Sequence, residues 1–95
     1  MNEQEHLLTI LTEECAEVVQ EACKAIRFGL GDFNPKDPAN GDNKRRIECE
    51  LADLMAVADL LGLTVREEDK AAKCEKLKKY MDYSRKLGTL EDRIS

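Results

Sequence analysis

Apolar residues recur at helical spacing through the first 28 positions. Leu7, Leu8, Leu11, Cys15, Val18, Val19, Ala22, Ala25 and Ile26 fall on one broad stripe when the chain turns about 100° per residue. The pattern predicts a helix from Glu3 to Phe28, stopped by Gly29 and Gly31. Phe28 is expected to cap the core at its end. A second stripe, Ile47, Leu51, Leu54, Met55, Val57, Ala58 and Leu61, predicts a helix from Lys44 to Leu61. Asn43 fits as its N-cap and Gly62 as its C-terminal stop. A third, more charged segment from Val65 to Leu87 carries Ala71, Cys74, Leu77, Met81 and Leu87 on a narrow line and ends at Gly88. Thr64 and Glu67 have the spacing of a capping box, in which each side chain satisfies a free backbone N–H.

Between the first two helices, Leu30 to Asn43 holds both prolines (Pro35, Pro38), two glycines (Gly31, Gly41) and several Asn and Asp. This is loop chemistry, and a loop of that length in a small bundle is often functional. Thr89 to Ser95 forms a tail, disordered or paired with a neighbouring subunit. The expected fold is all-α: a single domain over residues 1–95, with three main helices per chain in a bundle completed by oligomerisation.

Composition sharpens this picture. Hydrophobic residues make up 42% of 95, with four aromatics and no Trp. A chain that small buries a limited share of its surface, so a homo-oligomer is expected. The net charge of −5 argues against nucleic-acid binding, which needs a basic face. No run approaches the roughly 20 apolar residues of a membrane span. The acidic start MNEQEHLL lacks a signal-peptide layout, so a cytoplasmic location is expected. Cys15, Cys23, Cys49 and Cys74 form no CxxC pair. They read as small buried thiols in a reducing compartment.

The charged residues carry the functional signal. On the helical projection Glu50 lies between Leu54 and Val57, inside an apolar arc, and Glu14 lies beside Leu7, Val18 and Ala25. Glu17 and Asp53 follow three residues later, so each helix presents two carboxylates pointing the same way. These acids form either a solvated edge paired with Lys24, Arg45 or Arg46, or a cation site. Four facing carboxylates repel one another unless a cation stands between them, and magnesium favours such oxygen ligands together with substrate phosphates.

The ordered motifs Glu13-Glu14-Cys15-Ala16-Glu17 and Glu50-Leu51-Ala52-Asp53 resemble the EExxE and ExxD signature of the MazG-like all-α nucleoside triphosphate pyrophosphohydrolases. LTEECAEVVQEACKAIRFGL, ECELADLMAVADLLGL and KKYMDYSRKLG extend the resemblance over nearly the whole chain. It implies Mg2+-dependent cleavage of a nucleoside triphosphate, deoxynucleotides foremost, to monophosphate and pyrophosphate. Mn2+ is an alternative ion, and the assembly is a dimer or tetramer. By the same resemblance Glu14, Glu17, Glu50 and Asp53 bind the metal, and Glu13 or Glu17 orients or deprotonates water. Lys24, Arg27, Lys79 and Arg85 are candidate phosphate contacts, and Tyr80, Tyr83 and the loop residue Phe33 candidate base contacts. Several relatives carry an Asn near the position of Ser84; this chain has the shorter hydroxyl.

Other chemistries fit less well. A di-iron carboxylate bundle needs two ExxH motifs, but His6 is the only histidine. An EF-hand starting at Asp32 needs Gly sixth and Glu twelfth, where Asp37 and Asn43 stand. The non-catalytic alternative is a nucleotide-binding or protein-interaction module on the same helices.

Overall fold

The computed structural model describes residues 1–92. It is all-helical: α1 spans Glu3–Phe28, α2 Asn43–Leu60 and α3 Glu67–Leu87, with a short 3-10 turn at Pro38–Asn40. One isolated antiparallel bridge joins Phe33 to Asp42, and no strand occurs among the described residues. Part of the tail expected over Thr89–Ser95, residues 93–95, lies outside the described residues. The chain divides into two compact units, Met1–Thr64 and Val65 onward.

The first unit is an antiparallel hairpin of α1 and α2. Asn2 caps α1 by accepting the Glu5 N–H at 2.8 Å. Among the partly or fully buried residues, Leu7, Leu11, Glu14, Val18, Glu21 and Ala25 of α1 form one line, and Asn43, Ile47, Glu50, Leu54 and Val57 of α2 with Leu61 at its C-cap form another, flanked by Ile10, Ala22, Lys24, Arg46 and Ala58. Both series step alternately by four and three, the period that keeps one helix seam against another. The broad apolar stripes of the sequence are thus split. Their seam half meets the partner helix. The other half, Leu8 (46% exposed), Val19 (62%), Ile26 (83%), Leu51 (43%) and Met55 (57%), remains open. Each open residue follows a seam residue by one position. In an antiparallel pair that offset turns both helices toward the same side of the hairpin.

The two helices of the hairpin therefore leave an apolar face that they do not cover themselves. No apolar side chain among the described residues is fully buried; Glu21 and Asn43 are the buried ones. The four cysteines, expected to be buried, are exposed; none of them falls on the seam between α1 and α2. Phe28, expected in the core, is 60% exposed, with the Arg27 guanidinium 5.3 Å from its ring centre.

Helix ends depart from the expected caps in two places. Asp42, not Asn43, caps α2, accepting the Arg45 N–H at 2.9 Å. Asn43 is the first helical residue, and its side chain instead donates to the Gly29 carbonyl at 2.8 Å. The Thr64–Glu67 capping box does not form: α3 starts at Glu67 with Arg66 at the cap and no side-chain bond. Glu67, Glu68 and Asp69 in the first turn and Arg85 and Lys86 in the last complement the helix dipole instead. Gly62 does stop α2. At φ +76° it lets its own N–H reach the Asp59 carbonyl and the Leu63 N–H reach that of Ala58, the paired bonds of a Schellman end.

The loop is ordered by a neck at its base. The Lys44 N–H donates to Leu30 at 2.8 Å and the Asn43 N–H to Asp32 at 2.9 Å. Arg46 then clamps the far side, donating to the Asp37 carbonyl at 3.1 Å and its carboxylate at 3.3 Å. The Asn40 amide, together with Arg46, holds the Asp37 carboxyl below its usual pKa. Gly41 is required where the loop enters α2: its φ is +79°, and a Cβ there would stand 3.1 Å from Arg45.

No side chain of α3 is buried. At 21 residues, α3 exceeds the roughly 12–15 residues below which isolated helices are marginal in water. Ion pairs one turn apart, Lys78–Glu75 and Arg85–Asp82, line its surface.

The neck makes a specific stability claim. Asn43→Ala removes the bond to Gly29 and leaves that part-buried carbonyl without its partner. A loss of about 1–3 kcal/mol is expected, read by urea denaturation, with Asn43→Asp equally harmful because it cannot donate. Unchanged stability in both variants would show that the amide does not hold the loop.

Candidate metal centre

The seam places charged residues where a coiled-coil pair normally places Leu or Val. Glu14 from α1 faces Glu50 from α2, and Asp53 reaches in from the next turn. One carboxylate oxygen from each of the three lies within 4.8 Å of the others. Glu14 and Glu50 are half-buried and Asp53 is exposed. Burial raises the Glu50 pKa above its ordinary 4.5, and the carboxylates of Asp53, Glu17, Glu14 and Glu21 raise it further. Five acids thus share one electrostatic neighbourhood.

Glu14, Glu50 and Asp53, expected as ligands, are brought together. Glu17, the fourth, is exposed and adds its charge to the cluster without joining the triad. Glu13 is exposed on the same side of α1 and is not among the acids that perturb Glu50. Helical geometry puts Glu13, Glu17, Lys24, Arg46 and Asp53 one position before seam residues, hence on the side of the hairpin opposite the open apolar face.

Two side chains at this site have no counterpart in the sequence-based ligand set. Glu21 is 7% exposed; one oxygen pairs with Lys24 at 3.3 Å, and the other, Oε2, is buried without a partner. Arg46 is bound to Asp37 and has a buried, unpartnered Nε. A cleft of about 240 Å3 runs between Glu21, Asn40, Arg46, Cys49 and Glu50. The signal for Glu21 is present in the sequence: it follows Glu14 by two helical turns on the same face. The role of Arg46 depends on the loop fold, which periodicity does not specify.

The expected nucleotide contacts distribute over both units. Lys24 is part-buried beside Glu21, whereas Arg27 is exposed over Phe28. Lys79, Tyr80, Tyr83, Ser84 and Arg85 belong to α3, in the second unit. Tyr80 and Tyr83 are 58% and 61% exposed. The Arg85 guanidinium binds Asp82 at 3.2 Å, and the Ser84 carbonyl accepts the Thr89 N–H at the helix end.

The donor set suits a hard divalent cation: every group is a carboxylate, two are partly withdrawn from water, and they come from facing helices. Such a cation would relieve the repulsion that raises Glu50. Without it, the direction of that shift fixes a pH dependence. A raised folded pKa means that the folded chain holds the Glu50 proton more tightly than the unfolded chain. Its contribution is therefore most favourable below 4.5 and declines as pH rises through the elevated folded value. Glu50→Gln removes the penalty. In chelator, the variant is expected to melt above wild type at pH 7, the gap closing toward pH 4. A variant that melts lower at pH 7 would contradict this electrostatic picture.

Compared with models of protein families, with curated proteins and with solved structures, the chain matches none of them.

Proposed function

We propose that this chain is a Mg2+-dependent nucleoside triphosphate pyrophosphohydrolase of the MazG-like kind, working as a homo-oligomer in the cytoplasm. The observation that carries the reading is the meeting of Glu14, Glu50 and Asp53 across the hairpin seam, with one oxygen of each within 4.8 Å of the others. It unites acids from both halves of the EExxE and ExxD pattern. The open face of Leu8, Val19, Leu51 and Met55 supports the oligomer, since a patch of that kind on a small helical chain marks an interaction surface. No helix among the described residues is long and apolar enough to cross a membrane, which accords with a substrate met in water.

Glu14, Glu50 and Asp53 would hold the magnesium, with Mn2+ as a substitute, and Glu17 stands beside them. When bound, the ion supplies charge neutralisation for the triphosphate. The protein's own groups do the remainder. Arg46 in the cleft and Lys24 beside Glu21 offer positive charge for phosphate oxygens. Glu17, exposed and close enough to raise Glu50, accepts a proton from water as it attacks phosphorus. The α–β bridging P–O bond breaks, and monophosphate and pyrophosphate leave. A bound cation would offset the repulsion from neighbouring carboxylates that adds to burial in raising Glu50, which ties activity to metal occupancy.

The test is a panel of ribo- and deoxynucleoside triphosphates with Mg2+, the products resolved by chromatography. Monophosphate and pyrophosphate are expected, with turnover abolished by chelation. Glu50→Gln and Asp53→Asn should each lower kcat/KM by about 100-fold or more, as losses of transition-state charge stabilisation do. Glu17→Gln should lower kcat more than it raises KM. Nucleotide binding without product from any triphosphate would favour the non-catalytic module.

A further inference from the structure

Beside the acid cleft, the loop encloses a second cleft of about 250 Å3. Its walls include Lys24 and Phe28 of α1, Asp32 and Phe33 of the loop, and Asn43 and Arg46 of α2. Arg46 lines both clefts, and the first also holds Glu50. From Glu50 to Asn43 the α2 axis rises about 10 Å, roughly the span of a nucleoside with its first phosphate. Acids, then cations, then aromatic rings therefore follow one another along the same side of the hairpin.

Resting on the pyrophosphohydrolase reading above, we propose that this loop cleft holds the nucleoside of the substrate and selects a base whose edge donates hydrogen bonds, guanine foremost, over uracil. Phe28 and Phe33 are 60% and 53% exposed. Neither is part of a core, yet both are set at a cleft mouth, where an aromatic face is a stacking platform for any base. Asp32 supplies the discrimination. Its backbone is fixed in the loop neck, the N–H donating to Gly29 and the carbonyl accepting from Asn43, which holds the residue in the wall of the cleft. An ionised carboxylate only accepts. Guanine presents two adjacent donors, its ring N–H and its amino group, which match two carboxylate oxygens. Uracil presents one ring N–H between two carbonyl oxygens, and those oppose the same charge. Lys24 and Arg46 then lie between base and acids, where the first phosphate falls.

The experiment separates the cleft from the metal centre. Full-length protein is titrated in chelator with GMP and with UMP, following backbone amide shifts by NMR. Separately, it is titrated with Mg2+ and inorganic tripolyphosphate by calorimetry. GMP should move Asp32, Phe33 and Asn43 and bind at least ten-fold tighter than UMP. Phe33→Ala should weaken GMP by about ten-fold, the usual effect of losing one stacked ring. Asp32→Asn should bring GMP and UMP close to parity. Both variants should bind Mg2+-tripolyphosphate as wild type does, which also shows that they are folded. GMP affinity unmoved by either variant, shifts confined to other residues, or equal binding of UMP by wild type would overturn the proposal. Wild type that binds GMP as expected and ignores Mg2+-tripolyphosphate would remove the pyrophosphohydrolase reading while supporting the cleft as a guanine site.

Discussion

Like charges packed into a helical seam are the constraint around which this hairpin is built. A coiled-coil pair gains its stability from apolar residues at the seam, and here Glu14, Glu21 and Glu50 occupy seam positions. Each acid there removes a hydrophobic contact and adds repulsion. The structure offsets part of this locally: Lys24 neutralises one oxygen of Glu21, and the Glu50 carboxyl resists ionisation. Among the described residues no cationic side chain pairs with Glu14, Glu50 or Asp53. In the proposed function the missing charge comes from a bound divalent cation, so the energetic weakness of the seam and its chemistry have one origin.

The same seam divides the hairpin into two unlike sides. Glu13, Glu17, Lys24, Arg46 and Asp53 each lie one position before a seam residue, and Leu8, Val19, Leu51 and Met55 each lie one position after one. A two-helix unit cannot cover the second set from its own residues. Burial at roughly 25 cal/mol per Å2 of apolar surface is thus left unrealised on that side, and the proposed oligomer would recover it. Chemistry and assembly then use opposite sides and do not compete for the same residues.

Much of this was legible from spacing alone. The α1 and α2 stripes located both helices to within a residue, and the intrusion of Glu14 and Glu50 into those stripes located the acid cluster. The extent of burial was not legible. Periodicity marks which residues prefer an apolar neighbour, and it does not say whether the neighbour is in the same chain, so Phe28 and the cysteines were expected inside and are exposed. Capping was misread where two residues competed for one role: Asp42 took the cap and freed Asn43 to tie α2 to Gly29. The loop was the least legible part. Its order comes from the neck at its base and from Arg46 reaching Asp37 nine residues away, contacts that no local pattern encodes.

The proposed cation is the point on which the functional reading turns. Mn2+ titrated into metal-free protein and followed by electron paramagnetic resonance counts bound ions directly, with no dependence on substrate. Saturable binding that Mg2+ displaces and that Glu14→Gln abolishes is the expected result. Mn2+ that stays free in wild type, or binds equally well to Glu14→Gln, would show that the acids meeting across the seam are not a metal centre.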